Sequence, residues 1–207
     1  MIRTIVFDFD GTLVDSNRIK RQGYFATVAG HPDGAGAISA CLASVTGDRY
    51  TVFADYVQRI ASAGGGAGLD ASALAATYTS IVDAAVAEAP EMPGASALLA
   101  RLRARGCRLV LSSATPQDSL ARIVAARGWI GNFDRISGAP NCKRDTVASL
   151  LAASGTPNDG LAVVGDGRDD AESAAANGCR FVPVGTYAGP EAPIRLEDVE
   201  RTLFGPG

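Results

Sequence analysis

The chain has 207 residues, 47% apolar and 20% charged, with a formal net charge of -3. That length holds one good-sized core, or a core carrying an insertion, and the composition is that of an ordinary globular protein. The slight acidity gives no reason to expect a nucleic acid partner, and no run approaches the roughly 20 apolar residues that span a bilayer.

Residues 2–7 (IRTIVF) form a short, β-rich apolar run that stops abruptly at DFDGT. This is the pattern of a buried strand entering a tight loop. From residue 16 the character changes. Helical periodicity predicts helices over 17–29, 37–45, 50–63 and 72–89, with no convincing strand among them. A turn at His31-Pro32-Asp33-Gly34 and a flexible connection at Gly64-Gly65-Gly66 separate them, and Pro90 with Pro93-Gly94 ends the region. The remainder alternates: helix 95–105, strand 107–111, helix 116–127, strand 133–136, helix 144–153, strand 161–164, helix 169–177 and strand 180–184. Gly106, Gly128, Gly155 and Gly178 each follow a helix, the expected stop signal. The basic run Arg101, Arg103, Arg105 and Arg108 falls at a helix end, where cations suit the dipole and face water.

The alternation predicts an α/β fold, a Rossmann-like parallel sheet covered on both faces. Residues 1–15 and 90–207 are expected to form this core, and 16–89 an inserted all-helical domain, with hinges near Ser16 and Pro90–Pro93. Cys41, Cys107, Cys142 and Cys179 show no zinc spacing and read as buried free thiols. Nothing at the N-terminus resembles a signal peptide, so a cytoplasmic location is expected.

Four motifs carry chemistry. Asp8-Phe9-Asp10-Gly11-Thr12 stands at the carboxyl end of the first strand, the edge where open α/β sheets bind ligands. Spacing of two lets Asp8 and Asp10 serve one site. A carboxylate can attack phosphorus to give an acyl phosphate, and a second carboxyl can protonate the leaving oxygen. Gly11 allows the backbone to come close to a phosphate. A calcium loop would also begin D-x-D-G, but its twelfth position here is Ile19, not the bidentate Glu it needs. Ser112-Ser113-Ala114 ends the next strand and offers a hydroxyl and a backbone N–H to a phosphoryl oxygen. Lys143 opens a helix and can offset clustered negative charge. Gly165-Asp166-Gly167-Arg168-Asp169-Asp170 follows a buried strand directly. Gathering Asp8, Asp10, Asp166 and Asp170 at one sheet edge requires a cation, and Mg2+ suits such hard oxygen donors.

In this order, DFDGTLVDS, LVLSSA, Lys143 and VVGDGRDDAESAAANG resemble the haloacid dehalogenase-like hydrolase superfamily. The resemblance covers nearly all of the sheet domain, and the helical insert is similar to the cap of many members. It implies that Asp8 is nucleophile and metal ligand. Asp10 would be general acid/base and bind metal through its carbonyl. Ser113 would bind phosphate, with Gly11, Thr12 and Ala114 beside it; Lys143 would steady phosphoryl group and nucleophile; Asp166 and Asp170 would serve the metal. Lys143 is followed by Arg144-Asp145, where this family often has proline. Dehalogenases lack an acid at position 10, so Asp10 favours phosphate esters. The resulting expectation is a Mg2+-dependent phosphatase for a small phosphorylated metabolite, monomeric or weakly dimeric. A sugar phosphomutase shares the chemistry, and a non-catalytic phosphate- or metal-binding module is the alternative outside enzymes.

In the insert, Lys20, Arg21 and Arg49 are candidates for substrate contact. Arg49, in Thr46-Gly47-Asp48-Arg49, reads equally as a solvated arginine at a helix start. His31 belongs to its turn, and Trp129 to packing.

Overall fold

A computed structural model describes residues 2–31, 33–45, 47–154 and 157–205. Pro32, Thr46 and Gly155, which figure in a predicted turn, a loop and a helix end, lie outside the described residues. The chain divides into two compact units, Met1–Ser16 with Ala89–Gly207, and Asn17–Glu88.

The first unit is organised by one parallel sheet. Its strands are β1 (Thr4–Phe7), β2 (Arg108–Pro116), β3 (Arg135–Ala139), β4 (Leu161–Gly165) and β5 (Arg180–Pro183), in the order β3-β2-β1-β4-β5. Every residue of β1 is buried, because it lies between Arg108–Leu111 on one side and Leu161–Val164 on the other. Burial on both faces is why these strands read as continuous apolar runs rather than alternating ones. The helices are α5 (Ala95–Ala104), α6 (Gln117–Ala126), α7 (Lys143–Ser154), α8 (Arg168–Ala176) and α9 (Val199–Phe204), numbered after four in the other unit. Val147 and Leu150 of α7 and Ala174 of α8 pack with Val6, Val110 and Val163 of the sheet.

Helices return to strands through tight glycine ends. Gly106, at φ 78°, donates its N–H to Arg103 O at 2.8 Å, while Cys107 N–H reaches Leu102 O at 3.1 Å. Gly178, at φ 62°, and Cys179 repeat the pattern on Ala175 and Ala174. Such paired bonds satisfy the last carbonyls of a helix and need a left-handed residue.

Several features of this unit depart from the sequence expectation. β2 continues to Pro116 rather than stopping at 111, through a register shift against β3 between Ser112 and Pro116. The unpredicted α9 has six residues, too few for periodicity to declare it. Its Glu200 pairs with Arg101 at 2.7 Å and Arg105 at 2.5 Å, and Arg103 pairs with Asp134 at 2.7 Å. Arg101, Arg103 and Arg105 of the basic run are therefore paired, not merely solvated. Of the four free thiols, Cys41 and Cys107 are buried, whereas Cys142 is exposed and Cys179 intermediate; Cys142 stands in the loop just ahead of α7.

The chain leaves and re-enters this unit along a short antiparallel ribbon. Asp15 N–H donates to Pro90 O at 3.0 Å and Met92 N–H to Leu13 O at 2.9 Å, flanking a bridge between Val14 and Glu91.

The second unit consists of α1 (Asn17–Val28), α2 (Gly34–Ser44), α3 (Arg49–Ser62) and α4 (Ala71–Glu88). Tyr24, Phe53 and Tyr78 meet with ring centroids 4.4–5.9 Å apart. Asp48 caps α3 by accepting from Thr51 N–H at 2.9 Å. The Gly64-Gly65-Gly66 run is not a loose connection at its start: Gly64 and Gly65 N–H close α3 on Ala61 O and Ile60 O, each at 3.0 Å. Among the described residues no helix is long and apolar enough to cross a membrane.

Candidate active site

The sheet order fixes where the motifs meet. The chain runs β1 to β2 to β3 in one direction, then places β4 on the other side of β1, so a crevice opens between β1 and β4 at their carboxyl ends. Asp8 follows β1 and extends its ladder by donating its N–H to Val164 O at 2.9 Å. Asp166 follows β4, Lys143 is the first residue of α7, and Asp170 lies in the first turn of α8. Beyond Asp8 the chain turns over itself. Leu13 and Val14 N–H both donate to Phe9 O, and Gly11, at φ 76°, donates to Val14 O at 2.8 Å. Phe9 is fully buried and anchors the turn.

Lys143 Nζ is the hub of the charges. It lies 2.9 Å from Asp8 Oδ1, 2.7 Å from Asp170 Oδ1 and 3.0 Å from Asp169 Oδ2. Carboxylate oxygens of Asp8, Asp166 and Asp170 come within 4.8 Å of one another. Burial pushes the Asp8 carboxyl up to about 6, which Lys143 opposes and the charges of Asp10 and Asp166 reinforce. Burial likewise drives Asp170 well above the usual carboxylate range, helped by Asp8 and resisted by Lys143. Burial would lower Lys143, but Asp8, Asp170 and Asp169 outweigh it and hold the ammonium charged.

Four acids, Asp8, Asp166, Asp169 and Asp170, against one lysine leave an excess of negative charge, and Asp8, Asp166 and Asp170 offer a cation only hard oxygens. That set fits a divalent cation such as Mg2+. The supporting contacts suit the same role. Thr12 Oγ1 donates to Asp166 Oδ1 and Thr186 Oγ1 to Asp166 Oδ2, each at 3.2 Å, which orients that carboxylate. Asp170 Oδ2 accepts from Gly167 N–H at 3.1 Å. Gly165 makes room for it: a Cβ there would lie 2.2 Å from the Asp170 carboxyl carbon. Gly185, at φ 62°, plays a comparable part beneath the first loop, where a Cβ would stand 2.5 Å from Gly11 O.

Asp10 occupies a different setting. Its Oδ1 accepts from Ser16 Oγ at 2.7 Å, and its Oδ2 from Thr115 Oγ1 at 3.0 Å and Ser113 Oγ at 3.3 Å. Its side chain thus stands in a nest of hydroxyls, apart from the three clustered acids.

Asp8, Asp10, Gly11, Thr12, Ser113, Lys143, Asp166 and Asp170 therefore all belong to one end of the first unit. Ala114 is exposed on β2, and Ser113 spends its hydroxyl on Asp10 rather than standing free. Ser112, buried beside it, has the hydroxyl without a protein partner. Gly11 uses its own N–H within the turn, so its N–H is not the one offered to a ligand. Arg49 lies in the other unit. It is buried, not solvated: Nη1 donates to Thr79 Oγ1 at 2.7 Å, and the guanidinium stacks 5.2 Å from the Tyr78 ring centre. Sequence reasoning missed Ser16, Thr115, Thr186, Gly165 and Gly185 as supports. Their residue types are common in loops, and only the fold brings them to the carboxylates.

Comparison with known proteins agrees with this arrangement. The model of the haloacid dehalogenase-like hydrolases matches residues 2–178. A phosphoglycolate phosphatase of Cereibacter sphaeroides is 31% identical over 184 residues, covering 86% of this chain and 82% of that protein. A predicted phosphoglycolate phosphatase from Haemophilus somnus has a similar fold, with a TM-score of 0.77 at 17% identity over 97% of both chains. CbbY from Rhodobacter sphaeroides, solved in complex with phosphate, superposes with a TM-score of 0.72 at 19% identity over 96% of both. With its motifs, sheet order and acidic edge all accounted for, this chain belongs to the haloacid dehalogenase-like hydrolase family and is a hydrolase with phosphatases among its relatives.

Proposed function

We propose that this hydrolase is a Mg2+-dependent phosphatase that cleaves a small phosphate monoester through an aspartyl-phosphate on Asp8. The observation that carries the reading is the Asp8 carboxylate, held by Lys143 at 2.9 Å within reach of Asp166 and Asp170. A carboxylate so placed is ionised by its lysine partner and fixed in orientation, as a nucleophile must be. Mg2+ would be held by Asp8, Asp166 and Asp170, with the Asp10 carbonyl, and would neutralise charge as carboxylate meets phosphate. Asp10 gives a proton to the departing ester oxygen and later takes one from the water that attacks the acyl phosphate. Lys143 stays charged throughout and offsets the phosphoryl oxygens. The 31% identity to a phosphoglycolate phosphatase supports a small, anionic phosphate ester as substrate.

The test is phosphate release from 4-nitrophenyl phosphate and from phosphoglycolate, with Mg2+ and with EDTA, for wild type and Asp8→Asn. Release should require Mg2+ and fall at least about 10³-fold in the variant, which should fold normally. Substantial release by Asp8→Asn would refute the nucleophile. Isomerisation of a sugar phosphate with no phosphate freed would replace the phosphatase by the mutase.

A further inference from the structure

Thr115 touches the site twice. Its Oγ1 donates to Asp10 Oδ2 at 3.0 Å, and its backbone N–H donates to Ser113 Oγ at 3.0 Å. The second contact matters because a hydroxyl has one proton. With its oxygen already accepting from Thr115, Ser113 is left to send that proton to Asp10 Oδ2, 3.3 Å away. Thr115 therefore supplies one donor to Asp10 directly and directs another. Both groups stand on β2 where its register against β3 shifts, between Ser112 and Pro116. Irregularities of this kind re-aim side chains beside active sites. Asp10, Ser113 and Thr115 are all buried, so water cannot readily replace a donor that is lost. The other oxygen accepts from Ser16 Oγ at 2.7 Å.

We infer that Thr115 is a positioning residue for Asp10, holding one carboxylate oxygen by its hydroxyl and by the Ser113 hydroxyl it orients, so that the acid is aimed at the departing ester oxygen. The inference rests on the reading of Asp10 as proton donor given above. Thr115 touches neither substrate nor metal in this scheme, and its effect passes entirely through Asp10.

Leaving-group dependence separates such a role from a structural one. An alkyl oxygen needs a proton as it departs, whereas 4-nitrophenolate leaves without one. Thr115→Val keeps the shape and removes the hydroxyl. Its kcat/KM, which reports phosphoryl transfer to Asp8 and excludes the later hydrolysis common to all esters, should drop by about 10-fold or more on an alkyl phosphate, part of the 10²–10⁴ a general acid supplies, and by less than about twofold on 4-nitrophenyl phosphate. Thr115→Ser, which restores the donor, should recover the alkyl ester rate. Asp10→Asn, run alongside, should show the same selectivity in stronger form. If Asp10→Asn shows it and Thr115→Val does not, the inference about Thr115 fails while the acid stands. If Asp10→Asn lowers kcat/KM equally for both esters, the acid assignment fails and the inference falls with it. Should Thr115→Val not fold, Thr115→Ala takes its place, and a wild-type rate of that variant on the alkyl ester would overturn the inference.

Discussion

At the scale of single residues, the site depends on side chains that are absent as much as on those present. Gly165 is the clearest case. Any Cβ there would strike the Asp170 carboxylate, which is held on its other sides by Lys143 and Gly167. Gly165→Ala should displace Asp170, loosen Lys143 from Asp8 and lower kcat by about 10²-fold, as misplacements near 1 Å do. Kinetics on 4-nitrophenyl phosphate would check this, with a wild-type rate counting against the packing argument. Asp8 yields a second expectation, for protein kept in chelator. Its carboxyl rises from the ordinary 3.8 to about 6 on folding. Between those values the folded chain keeps a proton that the unfolded chain has released. The Asp8 contribution is therefore full below about pH 4 and is lost as pH rises through about 6, an effect on the order of 3 kcal/mol. Urea melts should accordingly show Asp8→Asn gaining on wild type across that window; a pH-independent difference between the two would contradict it.

At the scale of elements, helix ends and strand ends do most of the placing. Gly178 closes α8 in a left-handed conformation just before β5. Gly178→Ala should cost about 1–2 kcal/mol, seen as a lower urea midpoint at unchanged m. Activity per folded molecule should hold, because α8 carries Asp170 at its far end. Such glycine stops were legible in the sequence, as were the apolar runs of β1 and β4, since both signals are local. The acids and Lys143 were legible too, from order and type along the chain. What could not be read was set by distant pairings. The extension of β2 to Pro116 depends on β3, and the hydroxyls around Asp10 come from residues 16, 113 and 115. Helix α9 was hidden by its brevity, though its Glu200 binds Arg101 and Arg105 on α5 and near its end. The burial of Arg49 was hidden for a similar reason, because Thr79 and Tyr78 lie a full helix away in sequence.

At the scale of the whole molecule, β1 sits at the centre of the sheet although it is the first strand made, and it pairs with strands more than a hundred residues later. The clustered carboxylates inherit that arrangement, since Asp8 and Asp166 are neighbours only because β1 and β4 are. The ribbon at Leu13–Asp15 and Pro90–Met92 has a different bearing. It holds the two ends of the Asn17–Glu88 segment side by side, within the unit that carries the acids. To that unit the segment is a closed loop, and loop closure grows costlier by only about 0.6 kcal/mol for each doubling of length. A port of this kind tolerates replacement: what is spliced between Ser16 and Ala89 can be exchanged, lengthened or shortened at little thermodynamic cost to the sheet.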